Sequence, residues 1–149
     1  MSPVAVPPGN RIPALEHVAY ECAALQRAWE RHGGNPFAWT AWFVHARNVH
    51  DFFFEPGRQD DLVAEQFLPG WKPTCVAAVG LPSFKTAANK LTAHLTLSRL
   101  DYARGAGYAP SKDVTKYLVC CGTQFGAALT GAERAAFAAA HASELARLG

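Results

Sequence analysis

The chain has 149 residues, of which 50% are hydrophobic and 17% are charged, and its formal net charge is +2. This length fits a single domain, the composition excludes a disordered chain, and so small a net charge does not by itself indicate nucleic-acid binding. No apolar run reaches the roughly 18 residues that span a bilayer, so we expect no membrane partner.

Residues 1–12 are rich in proline and lack a basic stretch followed by an apolar one. They predict a flexible leader rather than a signal peptide, ahead of one helical domain over 13–149. Without an export signal we expect a cytoplasmic protein, in which cysteines remain free thiols. No C-x-x-C spacing occurs, which argues against a structural zinc site. The cysteines are Cys22, Cys75, Cys120 and Cys121.

The first two predicted helices differ in their apolar patterns. The first runs from about residue 14 to 31 and has one apolar face, as expected of a surface helix. The second begins at Asn35, a good N-cap followed by proline, and ends near Glu55. Its apolar residues surround most of the axis, which predicts a helix in the middle of the domain.

The rest of the chain also predicts helices. A short helix over 60–67 precedes a mostly irregular stretch, in which 75–79 could form a strand or a loop. A long helix follows over 83–103, another begins at the N-cap Ser111, and the last opens with the capping-box pattern of Thr130 and Glu133. Long helices with short connections predict an all-α fold, a four- or five-helix antiparallel bundle.

Polar residues of the second helix are gathered on one side. At about 100° per residue, Arg47, Asn48 and Asp51 fall within a single arc together with Thr40. Buried charge needs a partner, so a neighbouring helix should face this arc. Alternatively, Arg47 and Asp51 simply pair with each other, because they are four residues apart.

The helix over 83–103 offers a matching polar strip between two apolar arcs. Lys90, His94 and Asp101 stack along one side, and Asn89 and Arg99 lie on the other polar arc. His94 is therefore placed either in a polar groove, as a tuned imidazole, or in the core, bonded to a backbone carbonyl. The remaining histidines are interpreted as structural (His45, His50) or as surface residues (His17, His32, His141).

Two segments, HARNVHDFFF (45–54) and NKLTAHLTLSR (89–99), resemble motifs of a group of small bacterial proteins. The chain resembles, over about residues 15–102, a group of small bacterial proteins that share HARN-x-x-DFF, an acidic pair before a short helix and a tryptophan, and NK-x-x-AHLT-x-x-R. This resemblance implies that the two polar strips belong to one constellation, and it supplies no activity.

The segment NKLTAH is also similar to part of the HEPN-like helical bundles, in which a basic residue precedes a histidine. Many HEPN proteins are metal-independent ribonucleases of toxin, stress or defence systems, and they are often dimeric. Their arginine, four to six residues before the histidine, is missing here, and Lys90 and Asn89 stand at four and five residues before His94. The resemblance thus implies a HEPN-like fold, a homodimer and RNA as a partner.

The activity that this resemblance implies is attack of a ribose 2′-hydroxyl on the adjacent phosphate, with no cofactor and no metal. His94 would act as general acid or base, and Lys90 with Arg47 or Arg99 would stabilise the phosphorane charge. Asp51 completes the predicted catalytic set. The predicted binding residues are Asn48, Asn89, Arg99 and Asp101.

Two other functions remain open from the sequence. A metal or small ligand could bind in the bundle, with Glu21, His45, Asp51 and His94 contributed by three helices. The protein could instead be a non-enzymatic scaffold, in which the polar strips are buried networks that fix the register of the helices. The alanine-rich last helix would then pack against a second copy.

Overall fold

The computed structural model describes residues 3–93 and 109–149, without the side chains of Pro36 and of residues 90–93. Within these ranges the chain forms two 3₁₀ turns, His32–Gly34 and Ala64–Gln66, and no strand, so the all-α prediction is confirmed. None of the described helices combines the length and the apolar content that crossing a bilayer requires. The helices are α1 (Pro8–Arg31), α2 (Pro36–Phe54), α3 (Leu81–Ala93), α4 (Lys112–Ala128) and α5 (Gly131–Leu148).

Side-chain caps set the first residues of α2 and α4. Asn35 Oδ1 accepts hydrogen bonds from the backbone N–H groups of Phe37 and Ala38, at 2.9 and 3.2 Å. Ser111 Oγ accepts one from the N–H of Val114 at 3.3 Å. The first turn of a helix leaves its N–H groups without backbone partners, and these oxygens satisfy them. Both predicted N-caps are confirmed.

The buried face of α2 supplies the centre of the core. Trp42, Phe43 and Val49 are at most 1% exposed, and the ring of Phe84 on α3 contacts both Trp42 and Phe43. The indole of Trp42 donates a hydrogen bond to Thr115 Oγ1 on α4 at 2.8 Å, so its polar atom is satisfied in the interior. The prediction that the second helix lies in the middle of the domain is confirmed for this face.

The first and last helices lie side by side and run in the same direction. Near their starts, Arg11 on α1 binds the carboxylate of Glu133 on α5, and near their ends Arg27 donates to the carbonyl oxygen of Leu145. In contrast, α4 and α5 are joined by two residues and form an antiparallel hairpin, in which Gly126 lies against Phe137. The predicted antiparallel packing therefore holds for this hairpin but not for α1 and α5.

The first helix begins at Pro8, not near residue 14 as predicted, so residues 8–12 of the predicted leader are helical. Proline at the first position of a helix loses no hydrogen bond. Arg11 then holds this turn, because its guanidinium donates to the carbonyl oxygens of Gln66 and Phe67 as well as to Glu133. These partners are distant in sequence, so the apolar periodicity of α1 could not predict that the helix begins at Pro8.

Two further local predictions were wrong. Only the 3₁₀ turn at Ala64–Gln66 forms where a helix over 60–67 was expected, because Val63 is extended and its N–H donates to Gln66 Oε1. The capping box at the start of α5 is absent, since the carboxylate of Glu133 is occupied by Arg11 and the side chain of Thr130 makes no capping bond.

The prediction of four free thiols was also wrong. Cys75 and Cys120 form a disulfide across 45 residues of sequence, and Cys22 and Cys121 are the buried free thiols. Cys75 lies in the irregular stretch before α3, which forms a loop and not a strand. Hydrogen bonds between Thr74 and Gln124 hold this stretch against α4. Sequence spacing alone carries no signal for such a tertiary contact.

Candidate functional site

An open groove of about 750 Å³ lies between α1, α2, α3 and the segment 55–63. We call it the polar groove, because most of the side chains that line it are charged or carry an amide. Its charged and polar residues are His17 and Glu21 on α1; Arg47, Asn48 and Asp51 on α2; Glu55, Arg58, Asp60 and Asp61 on the segment; and Lys85 and Asn89 on α3.

The polar strip of α2 forms one wall of this groove. Arg47 Nε lies 3.5 Å from Asp51 Oδ2, and the two side chains are 36% and 40% exposed. The pairing that the sequence offered as an alternative is therefore present, but in contact with solvent and not sealed in the core. An ion pair this exposed contributes about 0–1 kcal/mol to stability.

The opposite wall comes from α3. Lys85 forms an ion pair with Glu55, which caps the C-terminal end of α2. Asn89, one turn further along α3, lines the same groove. Phe84 is 1% exposed and packs on Trp42, so the buried face of α3 fixes the position of its polar face.

A buried carboxylate on α1 anchors the third wall. Glu21 Oε2 accepts hydrogen bonds from His45 Nδ1 at 2.8 Å and from Asn48 Nδ2 at 3.1 Å. Burial opposes ionisation of Glu21, but these hydrogen bonds outweigh it and hold the pKa of the carboxyl below its ordinary value. Glu21 therefore orients Asn48 at the edge of the groove, while His45 lies behind it.

The described lining of the polar groove carries more negative than positive charge. Five carboxylates face three side chains that are always cationic, and His17 is the one further titratable group among them. The carboxylates are Glu21, Asp51, Glu55, Asp60 and Asp61, and the cations are Arg47, Arg58 and Lys85. A ligand that brings positive charge suits this lining better than a polyanion does.

The structure brings together four of the predicted site residues. Arg47, Asn48 and Asp51 from the first motif and Asn89 from the second line the polar groove. The backbone of Lys90 belongs to α3, but its side chain is outside the described part of the chain. His94, Arg99 and Asp101 also lie outside the described residues.

Sequence reasoning missed Glu55 and Lys85 as site residues. Each had a signal, because Glu55 lies four residues after Asp51 and Lys85 four residues before Asn89, on the same helix faces. Nothing in the pattern indicated that the segment 55–63 folds back over the groove and adds Arg58, since that depends on its tertiary contacts.

The metal-ligand set suggested by the sequence is only partly assembled. Glu21 and His45 contact each other, but among the described residues the ligand atoms that gather in a group of three belong to His50, Asp51 and Glu55. The bonds of Glu21 to His45 and Asn48 instead form a compact network between α1 and α2.

A second cavity, of about 400 Å³, lies between α1, α4 and α5. It is lined by Cys22, Phe137 and His141, and burial raises the pKa of the Cys22 thiol to about 12 and lowers that of His141. A thiol with so high a pKa is a poor nucleophile, because the thiolate is the reactive form. This cavity is apolar packing space rather than a site of cysteine chemistry.

The polar groove is the part of the described structure in which charged groups from several helices converge and remain open to solvent. Its geometry supports binding of a polar ligand by side chains that the core holds in place. Comparisons of the chain with protein-family models, with curated proteins and with solved structures gave no match.

Proposed function

We propose that this protein binds a small polar ligand in the polar groove. The observation that carries the proposal is the convergence of Arg47, Asn48, Asp51 and Asn89, from two separate sequence motifs, on one solvent-open groove. Its volume of about 750 Å³ lies within the range of small-molecule sites. Its lining is more polar than that of most such sites, which favours a ligand rich in charge and hydrogen-bonding groups.

The charged groups of the groove are positioned by the buried side of α2, and the ion pairs between them are exposed to solvent. Trp42 and Ala46 bury the opposite side of α2, each at 0% exposure, so the helix has little freedom to rotate. Above this core, Arg47 pairs with Asp51 and Lys85 pairs with Glu55 at the solvent boundary. A ligand can replace such partners without leaving a buried charge unpaired, which would be costly.

The excess of carboxylates indicates that the ligand carries a cation. Asp51, Glu55 and Asp60 would attract it, and Asn48 and Asn89 would donate and accept hydrogen bonds with its neutral polar groups. The cation is either an organic ammonium or guanidinium group or a bound metal ion. Binding measurements with and without a chelator distinguish the two.

The test is a thermal-shift screen of the full chain in EDTA, with arginine, agmatine, spermidine and choline against phosphate, citrate and nucleoside monophosphates. We expect one or more of the organic cations to raise Tm, and at least a tenfold loss of affinity in Asp51→Asn and in Asn48→Ala. Arg147→Ala is the matched control, since Arg147 pairs with Glu144 on the exposed side of α5.

A Tm that no cation changes, or a shift that survives in both groove variants, would contradict ligand binding in the polar groove. In that case the remaining proposal is the scaffold, in which the polar contacts between helices set their register and the chain forms a homodimer. Sedimentation of the wild-type chain, which gives its mass in solution, tests the dimer directly.

RNA cleavage is the second candidate, because Arg47 and Asn89, from the two motifs that carry the resemblance, line the same groove. His94 would be the general acid or base and Lys90 the cation at the phosphorane, with Arg47 or Arg99. The negative balance of the described lining disfavours a phosphodiester chain, which normally requires several cations in reach.

Cleavage of an oligoribonucleotide in EDTA tests this candidate. Loss of cleavage in His94→Ala, together with full activity of His32→Ala, would support it, since His32 stacks on Trp29 at the end of α1. Purified wild-type chain that leaves every RNA intact would rule it out.

A cytoplasmic location is likewise a proposal from the sequence. The Cys75–Cys120 disulfide is an observation against it, because such bonds persist mainly in oxidising compartments.

A further inference from the structure

Three potential metal ligands meet at the C-terminal end of α2. One ligand atom each of His50, Asp51 and Glu55 lies within 4.8 Å of the other two. Asp51 and Glu55 also line the polar groove, so the cluster lies at the edge of that groove and within reach of ions from solvent. Among the described residues this is the group of three such side chains that meets the distance condition.

The histidine of this cluster is fixed in position by its surroundings. Its side chain is 7% exposed and lies against the rings of Phe54 and Phe84, at centroid distances of 5.2 and 6.2 Å. Nδ1 lies 3.2 Å from Asp51 Oδ1, so the ring is held with this nitrogen toward a carboxylate of the cluster.

The electrostatics at this end of α2 favour a cation. The last turn of the helix contains no basic residue, so the partial negative charge of its terminal carbonyl groups is not offset within the helix. Lys85 already approaches Glu55, and Arg47 approaches Asp51. Two side-chain cations from different helices are thus drawn to the two carboxylates of the cluster.

We propose that His50, Asp51 and Glu55 bind one Zn²⁺ ion at the edge of the polar groove. An imidazole nitrogen combined with two carboxylates suits Zn²⁺ better than Mg²⁺ or Ca²⁺, which prefer ligands that are all oxygen. Three protein ligands leave one position of a tetrahedral ion open. The Zn²⁺ ion would be the cation that the excess of carboxylates in the groove attracts. This inference therefore rests on the binding role proposed for the groove.

Small side-chain movements complete the site. Ligand atoms on a tetrahedral Zn²⁺ lie roughly 3.4 Å apart, so a pair at the 4.8 Å limit of the group has to close by about 1.4 Å. The side chains of Asp51 and Glu55 are 40% and 34% exposed and can rotate toward the fixed ring of His50. Glu55 must give up its ion pair with Lys85, which makes Lys85 a competitor of the metal.

Calorimetric titration of ZnCl₂ into the full chain, after treatment with EDTA and dialysis, tests the proposal. We expect one ion per chain, at least tenfold weaker binding in Asp51→Asn and in Glu55→Gln, and binding several-fold tighter in Lys85→Met. Asp113→Asn is the matched control, because Asp113 is an exposed carboxylate in the first turn of α4, outside the groove, and it should bind like the wild type. The carboxylate variants avoid changing the buried His50, whose replacement could prevent folding.

Absence of stoichiometric Zn²⁺ binding, or equal binding by the wild type, Asp51→Asn and Glu55→Gln, would overturn the proposal. The two proposals fail separately. If an organic cation binds in EDTA and Zn²⁺ does not bind, the metal site is wrong and the ligand groove stands. If Zn²⁺ binds through Asp51 and Glu55 but no small ligand is found, the metal site stands and the small-ligand function is wrong.

Discussion

Glu21 shows how one buried carboxylate positions a wall of the polar groove. It is 9% exposed, and its oxygens hold His45 and Asn48 from the neighbouring helix. These bonds keep the pKa of Glu21 below its ordinary value of 4.5, although burial alone would raise it. The ionised carboxylate therefore stabilises the folded state above pH 4.5, and this contribution is lost as the pH falls through the lower folded pKa.

Glu21→Gln should lower the free energy of unfolding at pH 7 by about 1–3 kcal/mol, because it weakens hydrogen bonds to a charged acceptor. The difference from the wild type should shrink as the pH is lowered through the acid range. Urea unfolding at a series of pH values measures it. Glu16→Gln, on the exposed side of the same helix, should change little at any pH. An equal loss in both variants would contradict the role assigned to Glu21.

At the scale of elements, the positions of α2 and α4 could be predicted because their signals are local. Asn35 and Ser111 cap them through hydrogen bonds to residues two or three positions on. The start of α1 could not be predicted, since it depends on the contacts of Arg11 with Glu133 on α5 and with carbonyl groups near the 3₁₀ turn. The same contact accompanies the loss of the predicted capping box, because both carboxylate oxygens of Glu133 are bound by Arg11.

Arg11→Ala should therefore loosen the first turns of α1 and the turn at Ala64–Gln66 together. We expect a loss of about 1–3 kcal/mol, since the guanidinium, 26% exposed, makes charge-assisted bonds to two other segments. Hydrogen exchange of the amides over 10–16 should become faster, with slow exchange retained in α2. Arg147→Ala serves as the control for an exposed arginine pair. Unchanged exchange over 10–16 would show that Arg11 does not hold this turn.

At the scale of the whole molecule, the candidate site was predictable only where helix faces define it. The arc of Arg47, Asn48 and Asp51, and the polar position of Asn89, follow from helical periodicity. The path of the segment 55–63 depends on how helices and loops pack. Periodicity gives the face on which a residue lies and does not say which distant segment covers that face.

The same limit applies to the Cys75–Cys120 disulfide, which ties the loop before α3 to α4. A cross-link over 45 residues restricts the unfolded chain, and reducing it should cost about 2–4 kcal/mol. We expect a reductant to lower Tm of the wild type and to leave Tm of the Cys75→Ser/Cys120→Ser double variant unchanged. Both measurements use the full chain at neutral pH.

Counting thiols gives an independent check of this pairing. Alkylation of the unfolded chain without reductant should label two of the four cysteines, and labelling after reduction should reach all four. In the native chain the two free thiols should react slowly, because burial raises the pKa of Cys22 to about 12 and that of Cys121 to about 11. Four labelled cysteines without reductant would show that the bond does not form. The loop before α3 would then be held to α4 by the hydrogen bonds of Thr74 with Gln124 and by the contact of the Trp71 ring with Phe125.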